Sequence, residues 1–142
     1  MTQTGVMRVT KPRCFLLYAL APEGVTAAQA NQQLNAFIAD PRLPLALFHD
    51  HFIGRPGGLV IFFAETVAER EALAAAEGLP GWQIDVHPLI FSHSPAGFDE
   101  QIAFTLRAYR HVNWETLQRQ HRPRYGDPAR EAETAEEDDS LS

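Results

Sequence analysis

The chain has 142 residues and a mass of 15.9 kDa, is 45% hydrophobic and 21% charged, carries a formal charge of -6, and has one cysteine. That length suits one domain with a modest core. It excludes an internal disulfide and any multi-cysteine metal site, and no apolar run approaches the roughly eighteen residues of a membrane span.

Residues 1–12 are polar and end at Pro12, and they read as a loose lead-in. They lack a basic-then-apolar leader pattern, so a cytoplasmic protein is expected. Residues 13–20, RCFLLYAL, form a short apolar run closed by Pro22-Glu23-Gly24, which predicts a buried strand and a turn. Cys14 sits inside that run and reads as a buried, inert thiol. Thr26 and Gln29 then stand at the spacing of a capping box. Behind them Ala27, Ala30, Leu34, Phe37 and Ile38 make one apolar stripe of a helix that Asp40-Pro41 ends.

Two strand-like runs follow, LALFHDHFI at 45–53 and GLVIFFA at 58–64, joined by the turn Gly54-Arg55-Pro56-Gly57. Thr66 and Glu69 repeat the capping-box spacing for a second helix, and Gly78 is placed to be its left-handed cap. Residues 82–91, WQIDVHPLIF, alternate: Trp82, Ile84 and Val86 point one way, Gln83, Asp85 and His87 the other. That is a half-exposed strand, and Pro88 places it at an edge. The order strand, helix, strand, strand, helix, strand predicts a ferredoxin-like βαββαβ α+β domain over 13–111, with two helices on one face of an antiparallel sheet.

A third helix is expected at 98–111, with Phe98, Ile102, Leu106 and Tyr109 on one stripe. Asn113 caps a short extension over 112–122 that carries Trp114 and Leu117. Residues 123–142 hold two prolines, a glycine and many charges, and read as a disordered acidic tail. Residues 127–142 hold seven acids against Arg130, which is the whole net charge of -6. Residues 107–124 hold five arginines against Glu115, a local +4. The 126 residues outside 127–142 hold equal numbers of acids and bases, and this neutral body argues against a dedicated nucleic-acid binder.

Three constellations carry candidate chemistry. In His49-Asp50-His51, strand alternation sends both imidazoles to one face, the spacing by which two histidines share a metal. A third ligand is missing. His87 would lie at the opposite sheet edge, about 14 Å away, so a dimer contact or Glu65 would be required. The plainer reading is two half-buried histidines bonded to backbone or carboxylates, and neither a metal nor a cofactor is expected. The row Gln83, Asp85, His87 can orient an imidazole for proton transfer, or it is a solvated edge. The turn Arg55-Pro56-Gly57-Gly58 can hold an anion on exposed backbone N–H groups, or it is an ordinary hairpin turn. Residues 55–62, RPGGLVIF, match the RNA-recognition strand pattern at Arg55, Gly58, Val60 and Phe62. The stacking positions hold Gly57 and Leu59, so no RNA platform is expected.

In element order and length, residues 13–111 resemble the dimeric α+β-barrel branch of ferredoxin-like proteins, which includes antibiotic-biosynthesis-monooxygenase-like and YciI-like domains. The resemblance implies two chains pairing sheet against sheet around a cavity, which in the monooxygenase-like members holds an aromatic or haem-like substrate without a separate cofactor. The sequence supports the dimer independently. The strands at 14–18 and 59–63 are apolar on both faces, and two helices cover only one. The expectation is a homodimer with a small-molecule ligand, no nucleic-acid or membrane partner, and His49, His51, Asp85 and His87 as catalytic candidates. The other reading is a non-catalytic regulatory module acting through its arginine-rich 107–124 segment and acidic tail.

Overall fold

Residues 8–90 and 96–121 are described by a computed structural model. Their element order is β1 (Arg8–Leu20), α1 (Ala27–Ile38), β2 (Leu45–His51), β3 (Gly57–Thr66), α2 (Val67–Ala75), β4 (Gln83–Pro88), α3 (Ala96–Arg110) and α4 (Trp114–Gln120). Both capping boxes form. The Thr26 hydroxyl accepts from the Gln29 N–H at 3.1 Å while the Gln29 amide accepts from the Thr26 N–H at 3.0 Å. The Thr66 hydroxyl and the Glu69 carboxylate make the same exchange. Asn113 caps α4 by accepting from the Thr116 N–H at 2.9 Å.

The four strands make one antiparallel sheet in the order β2-β3-β1-β4, so β2 and β4 are its edges. This is an α+β architecture compatible with the expected ferredoxin-like arrangement. One sheet face packs against α1 and α2. Phe15, Leu17 and Ala19 of β1 and Val60, Phe62 and Ala64 of β3 meet Ala30, Leu34 and Phe37 of α1 and Leu73 of α2. Phe62 lies edge-on to Phe37 with ring centroids 6.2 Å apart. Each large side chain fully buried here contributes about 1.5–3 kcal/mol. Trp82 joins this core and donates its indole N–H to Gln33 at 2.9 Å.

Three local features differ from the sequence expectation. β1 starts at Arg8, ahead of the apolar run, pairing Arg8 with Thr66 across an irregularity between Arg8 and Arg13. β4 reaches no further along β1 than Phe15, and a segment with one neighbour tolerates Pro12. The left-handed cap of α2 is Ala76 (φ 46°, ψ 47°) rather than Gly78. The chain must leave the helix there so that Leu79 can enter the core, with its N–H bonded to the Ala76 carbonyl at 3.0 Å. Gly78 has a different role: a Cβ there would stand 3.1 Å from the Phe37 ring. The third difference is in β2. Ala46 pairs with Phe62 and Phe48 with Ile61, which leaves Leu47 as an extra residue, a β-bulge.

An exposed ion pair marks the end of α1. Arg42 donates to Asp40 at 2.8 Å and reaches Glu77 at 3.4 Å. The hydrogen bond from Arg42 holds the Asp40 carboxyl below its ordinary value and raises the guanidinium in return. Beyond the sheet, α3 and α4 pack against each other, and the Trp114 indole N–H donates to Asp99 at 2.8 Å. Among the described residues no helix is long and apolar enough to cross a membrane. The acidic tail, 123–142, lies outside the described residues.

Candidate functional site

In an antiparallel ladder directly opposed residues share a face, so the register assigns every strand residue to one side of the sheet. The face away from α1 and α2 carries Cys14, Leu16, Tyr18 and Leu20 of β1 and Leu59, Ile61 and Phe63 of β3. The edges add Leu45, Phe48 and Asp50 from β2 and Gln83, Asp85 and His87 from β4. Cys14 and Phe63 are buried, Leu16, Leu59 and Ile61 are half-buried, and Tyr18 and Phe48 remain 39% and 44% exposed. Phe52 closes one end of this face, its ring 5.1 Å from that of Tyr18. Phe98 of α3 stacks on Phe48 at 6.1 Å. The result is an apolar floor with a polar margin along β4.

Asp85 and His87 lie where the alternation predicts. Asp85 is opposite Tyr18 and His87 opposite Leu16, all on the open face. Both are exposed, and among the described residues no hydrogen bond or ion pair joins them. They form an acidic and a basic group beside a phenol, without a preset orientation.

His49 and His51 are elsewhere. They pair with Val60 and Gly58 and therefore lie on the helix-covered side, their rings 5.4 Å apart and nearly perpendicular. The Leu47 bulge causes this. Were Leu47 paired with Ile61 instead of bulged out, alternation from Ala46 would carry both imidazoles to the open face. The four sequence candidates are thus split twice, by opposite sheet edges and by opposite faces. The open face keeps only Asp85 and His87. Among the described residues no cluster of three or more His, Cys, Asp or Glu side chains could hold a metal.

The glycine turn is explained by packing. A Cβ on Gly57 would strike the Ala19 carbonyl, and one on Gly58 would strike the Asp50 carbonyl and lie 2.6 Å from Leu34 Cδ2. The Pro56 carbonyl accepts from the Ala21 N–H at 3.0 Å. These glycines let strands and helix close together, and Arg55 beside them stays exposed.

Sequence reasoning missed a groove of about 610 Å³ between α3 and α4, lined by Asp99, Arg107, His111, Trp114 and Glu115 among others. Its one sequence signal is the Asn113 cap, which forces a second helix directly after the first. His111 makes that reversal in the left-handed region, at φ 57°. Comparison with protein-family profiles, with curated proteins and with solved structures finds no match.

Proposed function

We propose that the protein is a ferredoxin-like homodimer whose open sheet faces enclose a cavity for a planar, largely apolar small molecule, in the manner of the monooxygenase-like group. One observation carries this reading. The sheet is sealed by α1 and α2 on one side, while on the other Leu16, Tyr18, Leu59 and Ile61 are incompletely covered. Large apolar surfaces of this kind mark a binding or assembly face. In this reading the apolar floor holds the ring of the ligand by burial. The margin supplies chemistry: His87 accepts a proton from a ligand hydroxyl, Asp85 stabilises the imidazolium, and the Tyr18 phenol orients the ligand. His49 and His51 take no part, because they are on the other face.

The test is sedimentation of the purified chain at micromolar concentration, together with binding of anilinonaphthalenesulfonate. The wild type should sediment at about twice 15.9 kDa and bind the probe. Ile61→Glu, on the open face, should give a monomer with unchanged helix content. A wild-type monomer that binds no probe would refute the reading.

A second reading is favoured by the α3–α4 pair. Phe104 and Tyr109 are 47% and 73% exposed beside Arg107 and Arg110. Aromatic and arginine side chains together are enriched at protein interfaces. A regulatory module that docks through this pair would keep its sheet monomeric and would lose its partner on Tyr109→Ala.

A further inference from the structure

We propose that His49 and His51 form half of a divalent transition-metal site, which the same two residues of a second copy of this chain complete by pairing along the β2 edge. The inference uses the helix-covered face and stands apart from the reading of the open face.

The ligand chemistry comes first. The two rings share a face with centroids 5.4 Å apart, and His49 is exposed. Neutral imidazole is a strong ligand for zinc, nickel and copper, and zinc takes four such ligands tetrahedrally. Among the described residues this chain offers no third ligand. Two imidazoles bind weakly, so a tight site needs two more from outside.

The edge supplies them. Among the described residues β2 has β3 on one side and no strand on the other. The Asp50 carbonyl points toward β3, since a Cβ on Gly58 would strike it. Backbone groups alternate along a strand, so the N–H and C=O groups of His49 and His51 face the free edge. Consider a second copy pairing antiparallel about a two-fold axis through Asp50. His49 then stands opposite the partner's His51, and His51 opposite the partner's His49. Opposed Cβ atoms are about 4.5–5.5 Å apart, and residues two apart on one strand are about 7 Å apart. Four imidazoles therefore converge over one small rectangle on one face. A slip by one residue sends the facing pairs to different faces, and a slip by two leaves at least one histidine without a facing histidine. The central register alone brings all four together.

The same register explains why the edge stays closed without metal. It places Asp50 opposite the partner's Asp50, and like charges directly opposed are destabilising. The Asp50 carboxylate also accepts from the His51 N–H at 2.9 Å, so the edge donor is already occupied. Charged side chains that blunt an edge in this way prevent unwanted pairing. The ion supplies the four ligand bonds that offset both costs. Metal thus gates assembly, and the fold itself does not depend on it.

The experiment is a titration of the metal-stripped full chain with zinc chloride, followed by sedimentation velocity and metal analysis. Half an equivalent of zinc per chain should at least double the mass over the zinc-free state, and EDTA should reverse it. From a monomer the product is a dimer, and from an open-face dimer, which carries two β2 edges, it is at least a tetramer, so the zinc-free mass reports on the proposed function and the zinc-induced gain of at least twofold on this site alone. His49→Gln and His51→Gln should each abolish the doubling. Asp50→Asn, which removes the repulsion, should lower the zinc concentration at half-doubling several-fold. Circular dichroism should show all three variants folded. One zinc per chain without a change in mass, no zinc binding, or doubling that survives both histidine variants would overturn the proposal.

Discussion

Gly58→Ala tests whether the glycine turn serves packing or an anion. The added Cβ lies 2.6 Å from Leu34 Cδ2, about 1 Å inside an ordinary carbon–carbon contact, and also meets the Asp50 carbonyl. Leu34 is fully buried among Ala30, Phe62 and Leu73 and cannot withdraw. Overpacking of this kind costs about 1–3 kcal/mol, against a total of about 5–15 kcal/mol for a small domain. For roughly a hundred ordered residues each kcal/mol moves the midpoint by about 4 °C or more. The expected loss is therefore about 4–12 °C, read by circular dichroism melting. Leu34→Ala in the Gly58→Ala background should recover part of the coupling energy in a double-mutant cycle, since it relieves the side-chain overlap and leaves the carbonyl. Inorganic phosphate should not raise the wild-type midpoint, whereas a ligand bound only by the folded state would. A Gly58→Ala melt within 2 °C of wild type, or a clear phosphate stabilisation, would refute the packing argument.

Other measurements bear on the caps, the charges and the tail. Thr66→Ala removes the hydroxyl that holds the Glu69 N–H and should cost about 1 kcal/mol in chemical denaturation, with Thr66→Ser restoring it. The Asp40 carboxyl is held low chiefly by its hydrogen bond from Arg42, so the stabilisation is present above the ordinary value of 3.8 and lost as pH falls through the lowered one. Wild type and Asp40→Asn should therefore differ in midpoint near neutrality and converge in strong acid. Deleting residues 127–142 removes a charge of -6, while 107–124 carries +4. Exposed ion pairs contribute about 0–1 kcal/mol each, so the midpoint should hardly move. Retention on a cation exchanger should rise at low salt and fall back at high salt.

Much of the architecture was legible because local signals agree. The two capping boxes at Thr26 and Thr66 and the alternation from Trp82 to His87 each act over a few residues, and all three formed as read. What stayed hidden depends on partners distant in sequence. Gly78 carries the usual signature of a left-handed cap, yet the demand to bury Leu79 moved the cap to Ala76. Trp114 gives no hint in sequence that Asp99, fifteen residues back, accepts its indole proton. The site suffered most. LALFHDHFI mixes apolar residues on both sides of the strand, so nothing in it marks Leu47 as extra. Asp85 and His87 were placed correctly because their strand is regular.

The Leu47 bulge also has a consequence for how this surface can change. Side-chain direction along a strand is a matter of parity, and whether Leu47 is bulged out or paired sets it for everything downstream until the turn. Straightening the bulge, so that Leu47 rather than Phe48 pairs with Ile61, would exchange the two sides in one step: the imidazoles would join Asp85 and His87 on the open face, and Asp50 would turn to the helix-covered face. A His-x-His motif in a relative of this chain therefore has no fixed meaning by itself. Its role depends on counting residues back to the last paired position, and the gain or loss of a bulge there reassigns two ligands without changing either of them.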